Sequence, residues 1–201
     1  MNPSLDEWSG DLASLPYPPQ IQHVDRGITG SGFYPGTRNC LFGSIYAPGV
    51  LLLGRDFGTL SYYSSLARQP GRGEYAATWR HTQDIYVRAL YGARVFCTNY
   101  LMGVRVDGSA KGDLRQRLSA REWEDFEAAC WGFLQKQIAE TNPRLVVVFG
   151  ADNMRDLSTS ERLGTASESV IYAPHPHSAI GEKNARPHHD VCLEIKRRLS
   201  L

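Results

Sequence analysis

Four short runs of β-favouring, mostly apolar residues constrain this chain more than anything else in it: Val50 to Leu53 (VLLL), Arg94 to Thr98 (RVFCT), Leu145 to Phe149 (LVVVF) and Val170 to Ala173 (VIYA). Side chains alternate between the two faces of a strand, so a run that is apolar at nearly every position needs cover on both sides, as in a parallel sheet between layers of helices. The intervening segments read as helices. Trp79, Thr82, Tyr86 and Leu90 share one helical face, and Gly92 supplies the stop. Ser119 followed by Glu122 makes a capping box, after which Trp123, Phe126, Cys130, Phe133 and Gln137 recur at helical spacing until Asn142 and Pro143. A short helix is predicted around Asp152 to Leu157, and Pro187 fits the first turn of a closing helix with Val191, Ile195 and Leu199 on one face. Alternating strand and helix predict a doubly wound α/β fold, a three-layer α/β/α arrangement with a central four-stranded, mainly parallel sheet.

With 201 residues, one domain is expected, spanning 1–201. Its core runs over 49–199. Residues 1–48 are rich in Pro, Gly and Tyr without a sustained period, and are expected to wrap irregularly around that core with one short helix. Gly103 to Arg117 is polar and basic and reads as a mobile loop. Apolar residues at 42% and charged ones at 21% are those of an ordinary globular protein, which excludes a disordered chain. No apolar run reaches the roughly 18 to 20 residues that cross a bilayer. The opening MNPSLDEWSGDL is acidic and polar, unlike a signal peptide, so the cytoplasm is the expected compartment and no membrane partner is expected. A net charge of +1 excludes charge-driven wrapping of nucleic acid but leaves room for a local basic rim. Cys40, Cys97, Cys130 and Cys192 form no CxxC pair and are expected to be free, buried thiols.

Ligands of open α/β sheets bind beyond the carboxyl ends of the strands. Three of the four predicted strands run out there into polar residues: Asp56 in GRDFGT, Asn99, and His175 in APHPHSAI. Singly, an Asp after a Gly is usually a cap, an Asn at a strand end a turn former, and a His beside Pro a solvated side chain. Together they would bring a carboxylate, a carboxamide and an imidazole to one rim.

These segments resemble the uracil-DNA glycosylase superfamily. VLLLGRDFGT is similar to its first motif, GQDPY in the best-known branch. CTNYL resembles the strand ending in its uracil-reading Asn, and APHPHSAI its HPS motif. WGFLQKQIAETNPRLVVVFGADNM is similar to the helix and strand that link the second and last motifs, so the resemblance covers roughly residues 49 to 199. It implies a hydrolase, a DNA N-glycosylase of base excision repair. Such an enzyme acts without a cofactor or metal, as a monomer, on uracil or a related damaged base flipped out of DNA. By the same match Asp56 would stabilise the oxocarbenium-like sugar and orient the attacking water, and Asn99 would pair with the base edge. His175 would donate to the base carbonyl as it gains charge. Gly54, Arg55, Phe57 and Gly58 would line the base site with a stacking aromatic drawn from Tyr62, Tyr63, Tyr75 and Trp79, Tyr75 being favoured. His177, Ser178 and Ile180 would form the penetrating loop, Ile180 its apolar wedge, while Lys183 and Arg186 would hold phosphates. Arg105, Lys111, Arg115 and Arg117 offer a second phosphate contact or a solvated face.

The match departs from the GQDPY pattern at three positions. Phe57 replaces the proline, Gly58 stands where an aromatic would exclude thymine, and His177 replaces the serine of HPS. A non-catalytic nucleic-acid or nucleotide-binding module on the same fold is one alternative, and a glycosidase acting on another modified base or a free nucleoside is another. His175, His177, His188 and His189 lack a paired carboxylate or cysteine at metal-site spacing, and no GxSxG elbow is present.

Overall fold

The four apolar runs become four parallel strands of one sheet. In the computed structural model, which describes residues 5–23, 41–42, 48–67, 77–90, 92–106, 114–150, 154, 161–176 and 182–201, these are β3 (Val50–Gly54), β4 (Val95–Asn99), β6 (Leu145–Phe149) and β7 (Val170–Ala173). They lie in the order β4-β3-β6-β7, with Leu53 in register with Thr98 on one side and Val148 on the other. A fifth strand, β2 (Leu41–Phe42), pairs antiparallel with the outer edge of β4. It falls in the stretch expected to be irregular, because two residues are too few to display a period. A separate two-stranded ladder joins β1 (Ile21–Gln22) to β5 (Val104–Arg105).

Alternate residues of the central strands feed two separate cores, which makes the fold three-layered. Leu51, Leu53, Phe96, Val146 and Val148 pack with Trp8 and Leu12 of α1 (Leu5–Ala13) and with Trp123, Phe126, Cys130 and Leu134 of α4 (Ala120–Thr141). Val50, Leu52, Val95, Cys97, Val147 and Ile171 face the other way, toward Tyr86 and Leu90 and toward Cys192, Ile195 and Leu199 of α5 (Glu182–Leu199). Burying each such aliphatic side chain contributes about 1.5–3 kcal/mol before the entropy of ordering is charged against it. Cys97, Cys130 and Cys192 are free and buried; Cys40 lies outside the described residues.

Helix α4 begins and ends on local chemistry. The Ser119 side chain accepts from the Glu122 N–H while Glu122 returns a bond to Ser119 N–H, and Asn142 closes the helix in the left-handed region at φ 46°. Between β3 and β4 come α2 (Leu60–Ala67) and α3 (Ala77–Thr82), the latter passing directly into a π-helical turn at Gln83–Val87. Two expectations are corrected. Pro187 is not in the first turn of α5 but in its interior, since the helix starts at Glu182 and Pro187 therefore leaves the Lys183 carbonyl without its helical donor. The segment expected to be a mobile loop from Gly103 to Arg117 contains β5 and a 3-10 turn at Leu114–Arg117, and its Val104 and Leu114 are buried in the α1/α4 core. Of the short helix predicted around Asp152 to Leu157, only Met154 lies within the described residues; it is helical and buried. Among the described residues no helix is long and apolar enough to cross a membrane.

Candidate functional site

Gly54 and Asn99 are register partners at the carboxyl ends of β3 and β4. The two chains stay together beyond the sheet. Tyr100 N–H donates to Gly54 O at 2.9 Å, Leu101 N–H to Arg55 O at 2.8 Å, and Arg105 N–H to Gly58 O at 3.0 Å, and Thr59 bridges to Arg105. Residues 54–59 and 99–105 thus form one ribbon overhanging the sheet edge. Asp56 sits at its turn, where its Oδ1 accepts from Gly58 N–H at 3.0 Å. Gly58 holds φ +86°, a conformation that a side chain at this position would strain.

Two guanidinium groups flank the Asp56 carboxylate. Arg105 Nη2 lies 3.5 Å from Oδ1 and Arg55 Nε 3.8 Å from Oδ2, with side-chain exposures of 5% for Arg105, 29% for Arg55 and 20% for Asp56. The Asp56 carboxylate thus meets two cationic donor groups among the described residues. Asn99 is 1% exposed, and its Nδ2 has no hydrogen-bond partner among the described residues. A buried amide left in that state costs about 1–3 kcal/mol, so it is a donor held in reserve or an expense without return. Its neighbour Thr98 is anchored to α4, donating through Oγ1 to Gln137 Oε1 at 2.8 Å.

His175 is exposed and follows β7 by two residues, with the buried Pro176 next to it. Because β6 separates β7 from β3, the strand that leads to His175 ends on the same sheet edge as the strand that leads to Asp56 but two strand spacings away, roughly 10 Å of sheet width. Topology therefore sets Asn99 beside the end of the strand that leads to Asp56, and His175 at the far end of that edge. The other expected site residues divide. Gly54 is buried in β3, and Phe57, at 3% exposure, is taken up by the α1/α4 core. Arg186 is exposed in the early part of α5, and Lys183 belongs to the same helix. Tyr75, His177, Ser178 and Ile180 lie outside the described residues. Tyr62, another stacking candidate, is exposed on α2. His188 and His189 part company, His188 fully buried and His189 exposed.

Arg105 is the residue that sequence reasoning misjudged. Its sequence context suggests a solvated or phosphate-holding side chain, yet among the described residues it is one of the few buried charged ones. The flanking valines give no clue, because Val104 is buried beside it and Val106 is 44% exposed.

A cavity of about 430 Å³ opens at the opposite, amino edge of the sheet, against Arg144, Glu168, Arg197 and Arg198. Its cations are occupied in capping the end of α5. Arg144 reaches the Leu199 and Arg198 carbonyls, and Arg197 and Arg198 share Glu194, whose carboxyl they hold down at about 2. The carboxyl ends of the strands, beyond which Asp56, Asn99 and His175 stand, form the other edge. No protein-family model matches the chain, and a search of curated proteins finds no significant match.

Proposed function

We propose that this chain is a DNA N-glycosylase, hydrolysing the bond between deoxyribose and uracil or a related damaged base that has been flipped out of DNA. The observation that carries this reading is Asn99, a residue in register with the end of the strand that leads to Asp56, whose buried Nδ2 has no partner among the described residues. A carboxamide presents one donor and one acceptor, the complement of the carbonyl and ring N–H of uracil, and a base that satisfied it would repay the desolvation already incurred.

The reaction breaks the C1′–N bond with its electron pair leaving on the base, and forms a C1′–O bond to water. Asp56 has Oδ1 held by Gly58 N–H with the Arg105 guanidinium 3.5 Å away, while Arg55 Nε stands farther off, 3.8 Å from Oδ2, so Oδ2 is the oxygen that accepts from that water. The neighbouring guanidinium groups offset the carboxylate charge. Orientation of the nucleophile is therefore a larger part of its work than a negative field on the sugar. His175 donates to the base carbonyl as the departing base gains charge, a contact whose removal typically costs about 2.7–4 kcal/mol of barrier. Arg186 and Lys183, early in α5, contact phosphates flanking the flipped nucleotide.

The test is excision from end-labelled oligonucleotides carrying uracil, hypoxanthine, xanthine or a mispaired thymine, scored as strand breakage at abasic sites. The expected result is cleavage at uracil that falls at least about tenfold in Asp56→Asn and in Asn99→Ala. Binding of DNA without cleavage of any base would instead identify a non-catalytic module, and release of base from free nucleosides alone would identify a nucleoside hydrolase.

A further inference from the structure

We infer that Arg105 is a positioning residue for Asp56, holding the carboxylate in the one rotamer that presents Oδ2 to the reacting centre; the inference rests on the reading of Asp56 given above. Three observations converge on it. The side chain of Arg105 is 5% exposed, and a guanidinium is withdrawn from water at such cost that it needs an anionic partner nearby; Asp56 Oδ1, at 3.5 Å, is that anion. The backbone of the same residue also holds the turn, through its N–H to Gly58 O at 3.0 Å and its bridge to Thr59. And Gly58 N–H occupies the same carboxylate oxygen that Arg105 approaches, at 3.0 Å, so both constraints act on Oδ1.

Arg105 thus grips the Asp56–Gly58 turn by main chain and side chain together. A free carboxylate rotates between staggered wells. One whose Oδ1 is held by Gly58 N–H and approached by Arg105 is restricted in its rotation, and Oδ2, with Arg55 Nε 3.8 Å from it, is the oxygen turned to the reacting centre. Lysine would keep the charge without the planar fork, and methionine would keep most of the buried stem without either.

Two measurements test this. Crystal structures of Arg105→Met and Arg105→Lys give the Asp56 rotamer whether or not the protein turns over. We expect Asp56 in more than one rotamer in Arg105→Met and the native rotamer in Arg105→Lys. An unmoved Asp56 in Arg105→Met overturns the inference, and this arm decides it even if the wild-type protein excises no base, an outcome that would sink the glycosylase reading alone. In an active protein, single-turnover excision of uracil should fall at least about tenfold in Arg105→Met with KM within about twofold of wild type, and less in Arg105→Lys. Adding Asp56→Asn to Arg105→Met should cost no more than Asp56→Asn alone, because a residue that acts only through Asp56 has nothing to lose once that carboxylate is gone. Additive losses, or a rise in KM at constant kcat, would show that Arg105 meets the DNA directly and would refute the positioning role. Circular dichroism of each variant at assay temperature confirms that the fold is retained.

Discussion

Tyr86 Oη lies 2.6 Å from His188 Nδ1, and both residues are fully buried between the π-helical turn after α3 and helix α5. Burial lowers the pKa of His188 below its ordinary 6.5, and the neighbouring His81 adds to the effect, so the imidazole is neutral in the folded protein. Between the lowered folded value and 6.5 the unfolded chain binds more protons, so stability rises with pH across that interval. Melting temperature should therefore drop as pH is taken down through 6.5, and the slope should flatten below the folded pKa. His188→Gln removes this component: the gap between wild type and variant should be widest near pH 8 and narrow toward pH 5. A gap independent of pH in thermal melts would contradict the assignment.

Asn99 should be a site residue whose loss the fold tolerates. Asn99→Ala deletes an amide that leaves Nδ2 unsatisfied, and the relief of about 1–3 kcal/mol offsets the cost of the small cavity. Unfolding in urea should show a net change under about 1 kcal/mol while excision is lost. Destabilisation beyond about 2 kcal/mol would mark Asn99 as structural.

Ser119 caps α4 in a complete capping box. Ser119→Ala removes the acceptor for Glu122 N–H, recorded at 3.3 Å, and should cost about 1 kcal/mol in chemical denaturation. Excision should be unaffected, since the cap lies outside the ribbon of residues 54–59 and 99–105.

Gly103 is required by packing, not by backbone conformation. A methyl group there would run into Ile21 Cγ2 and would lie 3.2 Å from the Phe126 ring. Gly103→Ala should destabilise by about 1–3 kcal/mol and, by pushing β1 from β5, disturb Arg105. Ile21→Ala removes the obstacle, so the double variant should be more stable than the sum of the single losses predicts; strict additivity in denaturation curves would mean that the two residues do not meet.

Much of this molecule is written in local chemistry. A buried parallel strand needs apolar residues on both faces, and VLLL and LVVVF have them; a helix start needs an acceptor and a returning carboxylate, and Ser119 and Glu122 supply both. Asn99 and Asp56 could be expected at one edge because parallel strands all end on the same side, and the register of Gly54 with Asn99 sets Asn99 beside the strand that leads to Asp56. Other features depend on partners far along the chain. β2 is a strand only because β4 offers it an edge, and α5 runs through Pro187 because its apolar face packs against the sheet. Phe57 joins a core built by residues as distant as Trp8 and Trp123, whose positions its own neighbours do not encode. Arg105 shows the difference most clearly: whether an arginine is solvated or buried is decided by the presence of an anion to meet it, and here that anion is Asp56, 49 residues earlier. The strands and the principal helix with its caps are each a property of a few adjacent residues, and so were readable without the fold. Which charges are buried, and which guanidinium meets which carboxylate oxygen, follows from the fold instead, because desolvation and pairing arise between segments that the chain order keeps apart.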